Sequence, residues 1–343
     1  MASPASRGFI VSVFMACCAL WSCSPGENAQ SEEEIPPPTG DTRDDEEPDA
    51  REATVGKDGG STLADAAVPS PMPSTDAARP ETRPDATTVP AAASVGCGVP
   101  GASGIVAGQV MGHGFVDVFP TDYNQQHAYP LLLVFHSGNG QEYEPLGLPN
   151  NGSRSNLNLG FTDALGNAII AASVAGADGN YDIKAGSADL AAVQTHLNDL
   201  LAKRCIDRSR VYAVGRGAGG KMATAVACRL RSQVRGFARI GSPDVTSIAT
   251  CGAPVAGFIQ AAINSAEVDP QRNAMIAEAL RQNNGCSANT TVWPTNDGTC
   301  QFYASGCANE PFVNCITAAG IENPKPAETV ERAWRFFGAL PGR

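Results

Sequence analysis

The hydrophobic positions of residues 96 to 343 follow two periods. Solid apolar runs predict buried strands, because a strand covered on both faces has no solvent side to mark with polar residues. These runs include GFVDVF (114–119), YPLLLVFH (129–136), NAIIAASV (167–174), SRVYAV (209–214), GFARIG (236–241) and PVAGFIQAAI (254–263). The first run contains Asp117, which we expect on an exposed side of its strand.

Helical periodicity separates the strands. In residues 187 to 205 apolar side chains recur three or four positions apart, and Ser187 is a suitable N-cap. Two further helices are predicted over 270–285, closed by Gly285, and over 327–340. This alternation indicates an α/β fold, with a mostly parallel sheet and helices on both faces. Functional loops should then follow the carboxyl ends of the strands.

Residues 24 to 95 show neither period. They lack Phe, Tyr and Trp and carry 16 acidic and 5 basic side chains, so they hold too little apolar surface to offset chain entropy. We expect a disordered, acidic, proline-rich linker here and a single domain over 96–343. That domain has 19 acidic and 18 basic side chains. The domain has no basic stripe of the kind that indicates nucleic-acid binding.

The first 23 residues predict an export signal. One arginine precedes an apolar run of roughly a dozen residues, which is too short to span a bilayer and fits a signal peptide. LWSC (20–23) resembles the lipobox of bacterial lipoproteins, which implies lipidation at Cys23. The alternative is an ordinary signal peptide cut nearby. We expect a lipoprotein of the bacterial outer membrane or cell surface, otherwise a periplasmic or extracellular protein, with membrane contact only through the anchor.

All eight cysteines beyond the leader lie in the predicted domain. An even number in an exported chain predicts disulfides, although eight cysteines allow 105 connectivities. No C-x-x-C pair occurs and no histidine clusters with them, so we expect no metal site. The cysteines are Cys97, Cys205, Cys228, Cys251, Cys286, Cys300, Cys307 and Cys315.

A glycine-rich turn follows the strand VYAV. An α/β-hydrolase presents its nucleophile on such a turn in a G-x-S-x-G motif, but this chain has Gly217 in the serine's place, within GRGAG (215–219). GRGAGG also matches the dinucleotide motif G-x-G-x-x-G. That motif normally opens the first βαβ unit and precedes an acidic residue by about 20 positions, whereas several elements come first here. We therefore expect no nucleotide cofactor.

Short segments throughout residues 96 to 343 carry a family resemblance. They are GCG, YPLLLVFHSGNG, CIDRSRVYAVG, VACRL, PVAGF, NNGC, CQFYASGCANEPFVNC and AWRFF. Together they resemble the secreted polyhydroxybutyrate depolymerases and feruloyl esterases of the α/β-hydrolases. The resemblance implies that Gly217 replaces the serine nucleophile and that Arg216 stands where histidine is common.

The resemblance also locates the other two triad positions. The chain order of the fold is serine, acid, histidine, yet every histidine precedes the turn: His113, His127, His136 and His196. The family's base position corresponds to Glu322 or Asn323. Its acid position corresponds to Ser265, with Glu267 and Asp269 close by. Gly217, Ser265 and Glu322 are therefore expected to be vestigial catalytic positions.

Other parts of the site are expected to persist. The fold's oxyanion hole uses the N–H after the nucleophile and one from the loop after the third strand, which implies Ala218 and either Ser137 or Gly138. His136 matches the family's strand-end histidine and is expected to orient that loop, or merely to pack there. His196 is expected at the surface or the edge of the core.

The resemblance further implies the disulfides Cys97–Cys205, Cys228–Cys251, Cys286–Cys300 and Cys307–Cys315. It also leaves three functions open. The first is an inactive hydrolase homologue that binds a polymeric ester, a glycan or a protein. The second is an ester hydrolase that uses Ser137 or Ser242 with Glu or Asp as base. The third is a structural surface lipoprotein.

Overall fold

The computed structural model describes residues 92–138, 140–146, 148, 165–242, 246–249, 251–262, 270–293, 300–317 and 326–341. The predicted leader and the predicted linker up to residue 91 lie outside these ranges. Within them no helix is long and apolar enough to cross a membrane.

A single ten-stranded sheet organises the described residues, in the order β1-β2-β4-β3-β5-β6-β7-β10-β9-β8. The strands are β1 (Gly104–Val110), β2 (His113–Phe119), β3 (Tyr129–Phe135), β4 (Ile170–Val174), β5 (Ile206–Arg216), β6 (Gly236–Ile240), β7 (Ala256–Ala262), β8 (Thr291–Val292), β9 (Cys300–Tyr303) and β10 (Phe312–Thr317). The six strands from β4 to β10 in this order run parallel. The outer strands are antiparallel.

Five α-helices accompany the sheet in the described residues: α1 (Ala188–Lys203), α2 (Ala218–Arg229), α3 (Thr246–Ala249), α4 (Pro270–Asn284) and α5 (Pro326–Gly338). Short 3-10 turns occur at Glu144–Leu146 and Gly166–Ala168. Ser187 caps α1 as predicted, since its hydroxyl accepts from the N–H of Leu190.

Successive residues of β3 contribute to two separate apolar clusters. Leu131 and Leu133 belong to a cluster with Val193 of α1 and Val226 of α2. Leu132 lies in another cluster that includes the aromatic side chains of α5. Because neighbouring side chains of a strand point to opposite faces, β3 is buried on both of them. This burial explains its unbroken apolar sequence.

The prediction that Asp117 is exposed is wrong. Its side chain is buried, and Oδ1 lies 2.8 Å from Nε2 of His196 on α1. The strand period assigns a charged residue to the solvent side, but here α1 supplies a polar partner from 79 positions away along the chain.

The folded part of the chain begins before residue 96. Ala93 forms a bridge with Asp207 at the start of β5. Ser94 is buried, donates its N–H to the carbonyl of Ile206 at 2.8 Å, and accepts from the N–H of Ile206 at 2.9 Å. Backbone pairing holds residues 92 to 95 against the domain, and an apolar pattern gives no sign of such pairing.

Four disulfides are present, and two of the predicted pairings are confirmed, Cys97–Cys205 and Cys228–Cys251. The other two pairings are wrong, because the structure joins Cys286 to Cys307 and Cys300 to Cys315. Strand register is the reason: β9 and β10 are antiparallel and place Cys300 directly opposite Cys315.

Candidate functional site

The turn after β5 is sharp and leads directly into α2. Gly217 lies between the end of β5 and the start of α2, with φ 53° and ψ −117°. Positive φ strains residues that have a Cβ atom, but glycine adopts it freely. The N–H of Gly217 donates to the carbonyl of Ile240 at 3.0 Å, which ties the turn to the end of β6.

Close packing explains the neighbouring glycines. A Cβ atom at Gly215 would lie under 3.0 Å from the backbone of Gly219, and one at Gly219 would lie equally close to the carbonyl of Phe135. At Gly217 the nearest atom would be Cβ of Ser137, at 3.7 Å. Glycine is therefore needed at positions 215 and 219 so that β5 and α2 can pack closely against each other. The position of Gly217 has space for a side chain.

His136 directly follows β3, beside this turn, and is 1% exposed. Its Nε2 lies 3.1 Å from the N–H of Gly176, and its Nδ1 lies 2.7 Å from the carbonyl of Ser137. A backbone N–H can only donate, so Nε2 accepts and the proton resides on Nδ1. Burial lowers the pKa of His136. The ring is neutral and both of its nitrogens are engaged.

The loop after β4 is fastened to the same place. The hydroxyl of Tyr181 accepts from the N–H of His136 at 3.2 Å and donates to the carbonyl of Val174 at 3.0 Å. The ring of Tyr181 stacks on the imidazole of His136, with 4.5 Å between centroids. His136 therefore orients two loops rather than one, which extends the role expected from sequence.

The order of the strands and the position of this turn at the carboxyl end of central β5 decide the fold. The chain has the α/β-hydrolase fold.

Similarity to one solved structure, an acetyl xylan esterase, agrees with this assignment. No protein-family model matches the chain. An acetyl xylan esterase from Aspergillus awamori is similar in structure, with a TM-score of 0.52 and 11% identity over 69% of this chain and 99% of that one. A ferulic acid esterase gives a TM-score of 0.46 and 14% identity over 68% and 98% of the two chains. A glucuronoyl esterase from Solibacter usitatus gives a TM-score of 0.46 and 12% identity over 67% of this chain and 78% of that one.

In this α/β-hydrolase fold the expected oxyanion-hole residues lie together. A Cβ atom at Gly217 would face Cβ of Ser137, and Ala218 opens α2 directly after Gly217. A Cβ atom at Gly138 would lie 3.2 Å from Oδ1 of Asn180. Asn180 is thus an exposed residue of this edge that sequence reasoning missed, because the loop after β4 carries no motif.

Ser242, one of the alternative nucleophiles, is buried behind the turn. Its Oγ accepts from the guanidinium of Arg239 at 3.1 Å. A guanidinium donates hydrogen bonds and cannot take a proton at neutral pH. Arg239 therefore cannot activate the hydroxyl of Ser242.

His196 and His113 lie away from the turn, between β2 and α1. His196 is buried rather than at the surface, and its ring lies against that of Phe115 with 4.3 Å between centroids. Nδ1 of His113 lies 3.0 Å from the carbonyl of Ala175. Desolvation raises the pKa of Asp117, and the hydrogen bond from His196 opposes that rise. The contacts of His196 with Asp117 and Phe115 attach α1 to β2.

The remaining expected site residues lie outside the described part of the chain. They are the acid position Ser265 with its neighbours Glu267 and Asp269, and the base position Glu322 with its neighbour Asn323. Arg216, the last residue of β5, is partly buried.

Proposed function

We propose that this protein is an exported, lipid-anchored homologue of polyhydroxybutyrate depolymerases and feruloyl esterases that has lost its catalytic triad. It keeps the platform of an esterase and binds a polymeric ester, a glycan or a protein partner. The observation that carries the proposal is Gly217, which adopts the conformation of a nucleophile-bearing turn and has no side chain.

The state of the histidines supports inactivity. No histidine follows the turn in sequence, so the chain order of the triad cannot be completed. His136, which borders the turn, donates from Nδ1 to a carbonyl and accepts at Nε2 from a backbone N–H. A ring held in this way has no free nitrogen with which to deprotonate a nucleophile.

The cysteines support export. All eight cysteines of the domain are paired, and disulfides of this number form and persist outside the reducing cytosol. The lipobox-like LWSC and the acidic residues that follow it fit a domain tethered to the cell envelope by Cys23.

The test is ester hydrolysis by the mature chain together with labelling by a fluorophosphonate, which reacts with activated serines. We expect neither turnover nor labelling. Ser137→Ala and Ser242→Ala serve as matched variants. If the protein hydrolyses an ester and one of these two substitutions abolishes the activity, the proposal is wrong. The protein would then be an ester hydrolase with a different nucleophile. A protein that is inactive and binds none of the three ligand classes would instead be a structural lipoprotein.

A further inference from the structure

Positive charge is concentrated in one part of this nearly neutral domain. From residue 208 to residue 241 the chain has eight basic side chains and no acidic one. The basic residues are Arg208, Arg210, Arg216, Lys221, Arg229, Arg231, Arg235 and Arg239. This stretch covers most of β5, then α2 and β6. Its charges therefore lie near the amino and the carboxyl ends of the central strands.

Several of these arginines meet at the edge of the sheet opposite Gly217. Arg208 lies near the amino end of β5, and Arg235 directly precedes β6. Glu310 precedes β10 by two residues. Because β5, β6 and β10 are parallel to one another, their amino ends share one edge of the sheet. The turn that holds Gly217 lies at the other edge.

Two adjoining cavities open at this amino-terminal edge. The first has a volume of about 210 Å³ and the second about 380 Å³, and both are lined by Ser232. We call them together the arginine groove. Its lining residues are Ala92, Arg208, Ser209, Arg231, Ser232, Gln233, Arg235, Pro254, Ala308 and Glu310.

The charges of the groove are only partly compensated. Arg235 is buried, forms an ion pair with Glu310 and donates to the carbonyl of Pro341 at 3.2 Å. Outside the groove, Arg210 pairs with Asp207 at 2.6 Å. Arg208 is exposed and has no carboxylate partner among the residues that the structure describes.

A hydroxyl group accompanies the uncompensated guanidinium. Ser232 lines the same cavity as Arg208, whereas the hydroxyl of Ser209, which also lines it, donates to Oδ1 of Asp207 at 2.6 Å. No aromatic side chain lines either cavity. Guanidinium and hydroxyl donors without an aromatic surface match an oxyanion with several acceptor oxygens better than a neutral sugar or an acyl chain.

We propose that the arginine groove binds a phosphate-bearing anion. Arg208 makes charge-assisted hydrogen bonds to the phosphate oxygens, and the hydroxyl of Ser232 completes the contact. The paired Arg235 and Glu310 form a fixed wall. The site is independent of the esterase-like turn, because it lies at the opposite edge of the sheet.

The probe is inorganic pyrophosphate, titrated into the mature chain at low salt and followed by calorimetry and by amide NMR shifts. We expect saturable binding, with shifts at Ser209 and Ser232. Arg208→Gln should weaken binding about tenfold, since it removes a charge-assisted hydrogen bond from an exposed site. Lys184→Gln removes the same charge from an exposed position in the loop after β4 and should leave binding unchanged.

Vesicles of phosphatidylglycerol, compared with neutral phosphatidylcholine vesicles, distinguish the source of the phosphate. Binding to the anionic vesicles that Arg208→Gln weakens would assign a lipid headgroup. Binding of pyrophosphate alone would assign a soluble phosphate. The proposal is wrong if neither probe binds, or if Arg208→Gln and Lys184→Gln weaken binding equally. Circular dichroism of both variants shows whether they remain folded.

Discussion

The backbone N–H of Gly176 donates to Nε2 of His136 over 3.1 Å, and this contact fixes the tautomer of a buried imidazole. It joins the end of β3 to the loop after β4. Protonation of Nε2 would replace the acceptor by a second donor and break the bond. The contact therefore exists only while His136 is neutral.

This relationship predicts a stability that depends on pH. Burial lowers the pKa of His136 in the folded protein, so the unfolded chain takes up a proton first. The contribution of neutral His136 to the free energy of unfolding should be fully present above about pH 6.5. This contribution should be lost as the pH falls from there through the lower pKa of the folded protein, by up to about 1.4 kcal/mol per pH unit. Urea unfolding across this range measures the loss, and His136→Gln should flatten it.

The glycines of the turn should differ in their tolerance of a methyl group. Gly217→Ala introduces only the strain of a positive φ, which costs about 1 to 3 kcal/mol of the free energy of unfolding. Gly219→Ala forces a carbon into the carbonyl of Phe135 and should cost more than about 4 kcal/mol, or prevent folding. Urea unfolding of both variants tests this order. Equal losses would contradict the packing explanation.

Restoring the hydroxyl alone should restore little chemistry. Gly217→Ser fits the space beside Ser137, but a serine hydroxyl needs a positioned base to become a nucleophile. We expect at most the weak catalysis, about 10³- to 10⁴-fold over water, that a hydrolase keeps without its triad. Adding Ser265→Asp and Glu322→His should raise the rate on an activated ester clearly above that of the single variant.

The control for restoration is Gly217→Ala, which carries the same backbone strain without a hydroxyl. Strong hydrolysis by Gly217→Ser alone would reveal a base that we have not recognised. If the single and triple variants were equally inactive, the assumed positions of acid and base would be wrong.

The pairing Cys300–Cys315 closes a short loop between adjacent strands. Its sequence separation is 15 residues. A crosslink of that span stabilises by about 3 kcal/mol in the chain-entropy description. Cys300→Ser with Cys315→Ser should lower the free energy of unfolding by about this amount. Mass mapping of non-reduced peptides should find Cys286 joined to Cys307. A peptide that joins Cys286 to Cys300 would contradict the register of β9 and β10.

The buried carboxylate of Asp117 should be replaceable by an amide. Because desolvation raises the pKa of Asp117, its charged form costs stability at neutral pH. Asp117→Asn keeps an acceptor for His196 without the charge, so the free energy of unfolding at pH 7 should be unchanged or higher. Asp117→Leu leaves Nε2 of His196 unpaired and should lower it by about 1 to 3 kcal/mol. Urea unfolding of the two variants distinguishes charge from hydrogen bonding.

The sequence predicts the parallel strands because their burial on both faces leaves continuous apolar runs, as in β3. It also locates Gly217, since a strand, a glycine turn and a helix follow directly along the chain. The pairing of Asp117 with His196 could not be predicted in this way. The spacing of apolar residues shows which side of a strand or helix a residue occupies. It carries no information about a partner 79 positions away along the chain.

The same limit applies to the cysteines and to the arginine groove. The pairing of Cys286 with Cys300 that the family resemblance implied is wrong, because the register of β9 and β10 places Cys300 opposite Cys315. Arg208 lies in β5 and Glu310 precedes β10, which is distant in sequence, and only the shared direction of the parallel strands brings them to one edge.

Arg235 also fixes where the ends of the folded unit emerge. Its guanidinium binds the carbonyl of Pro341, and it lines a cavity together with Ala92. Ala92 and Pro341, the first and last described residues, therefore both lie at the edge opposite Gly217. A fluorescent protein or affinity tag fused at either end would leave the esterase-like surface uncovered. Because the two ends are neighbours, the domain could also be circularly permuted, or inserted as a cassette into a loop of another protein.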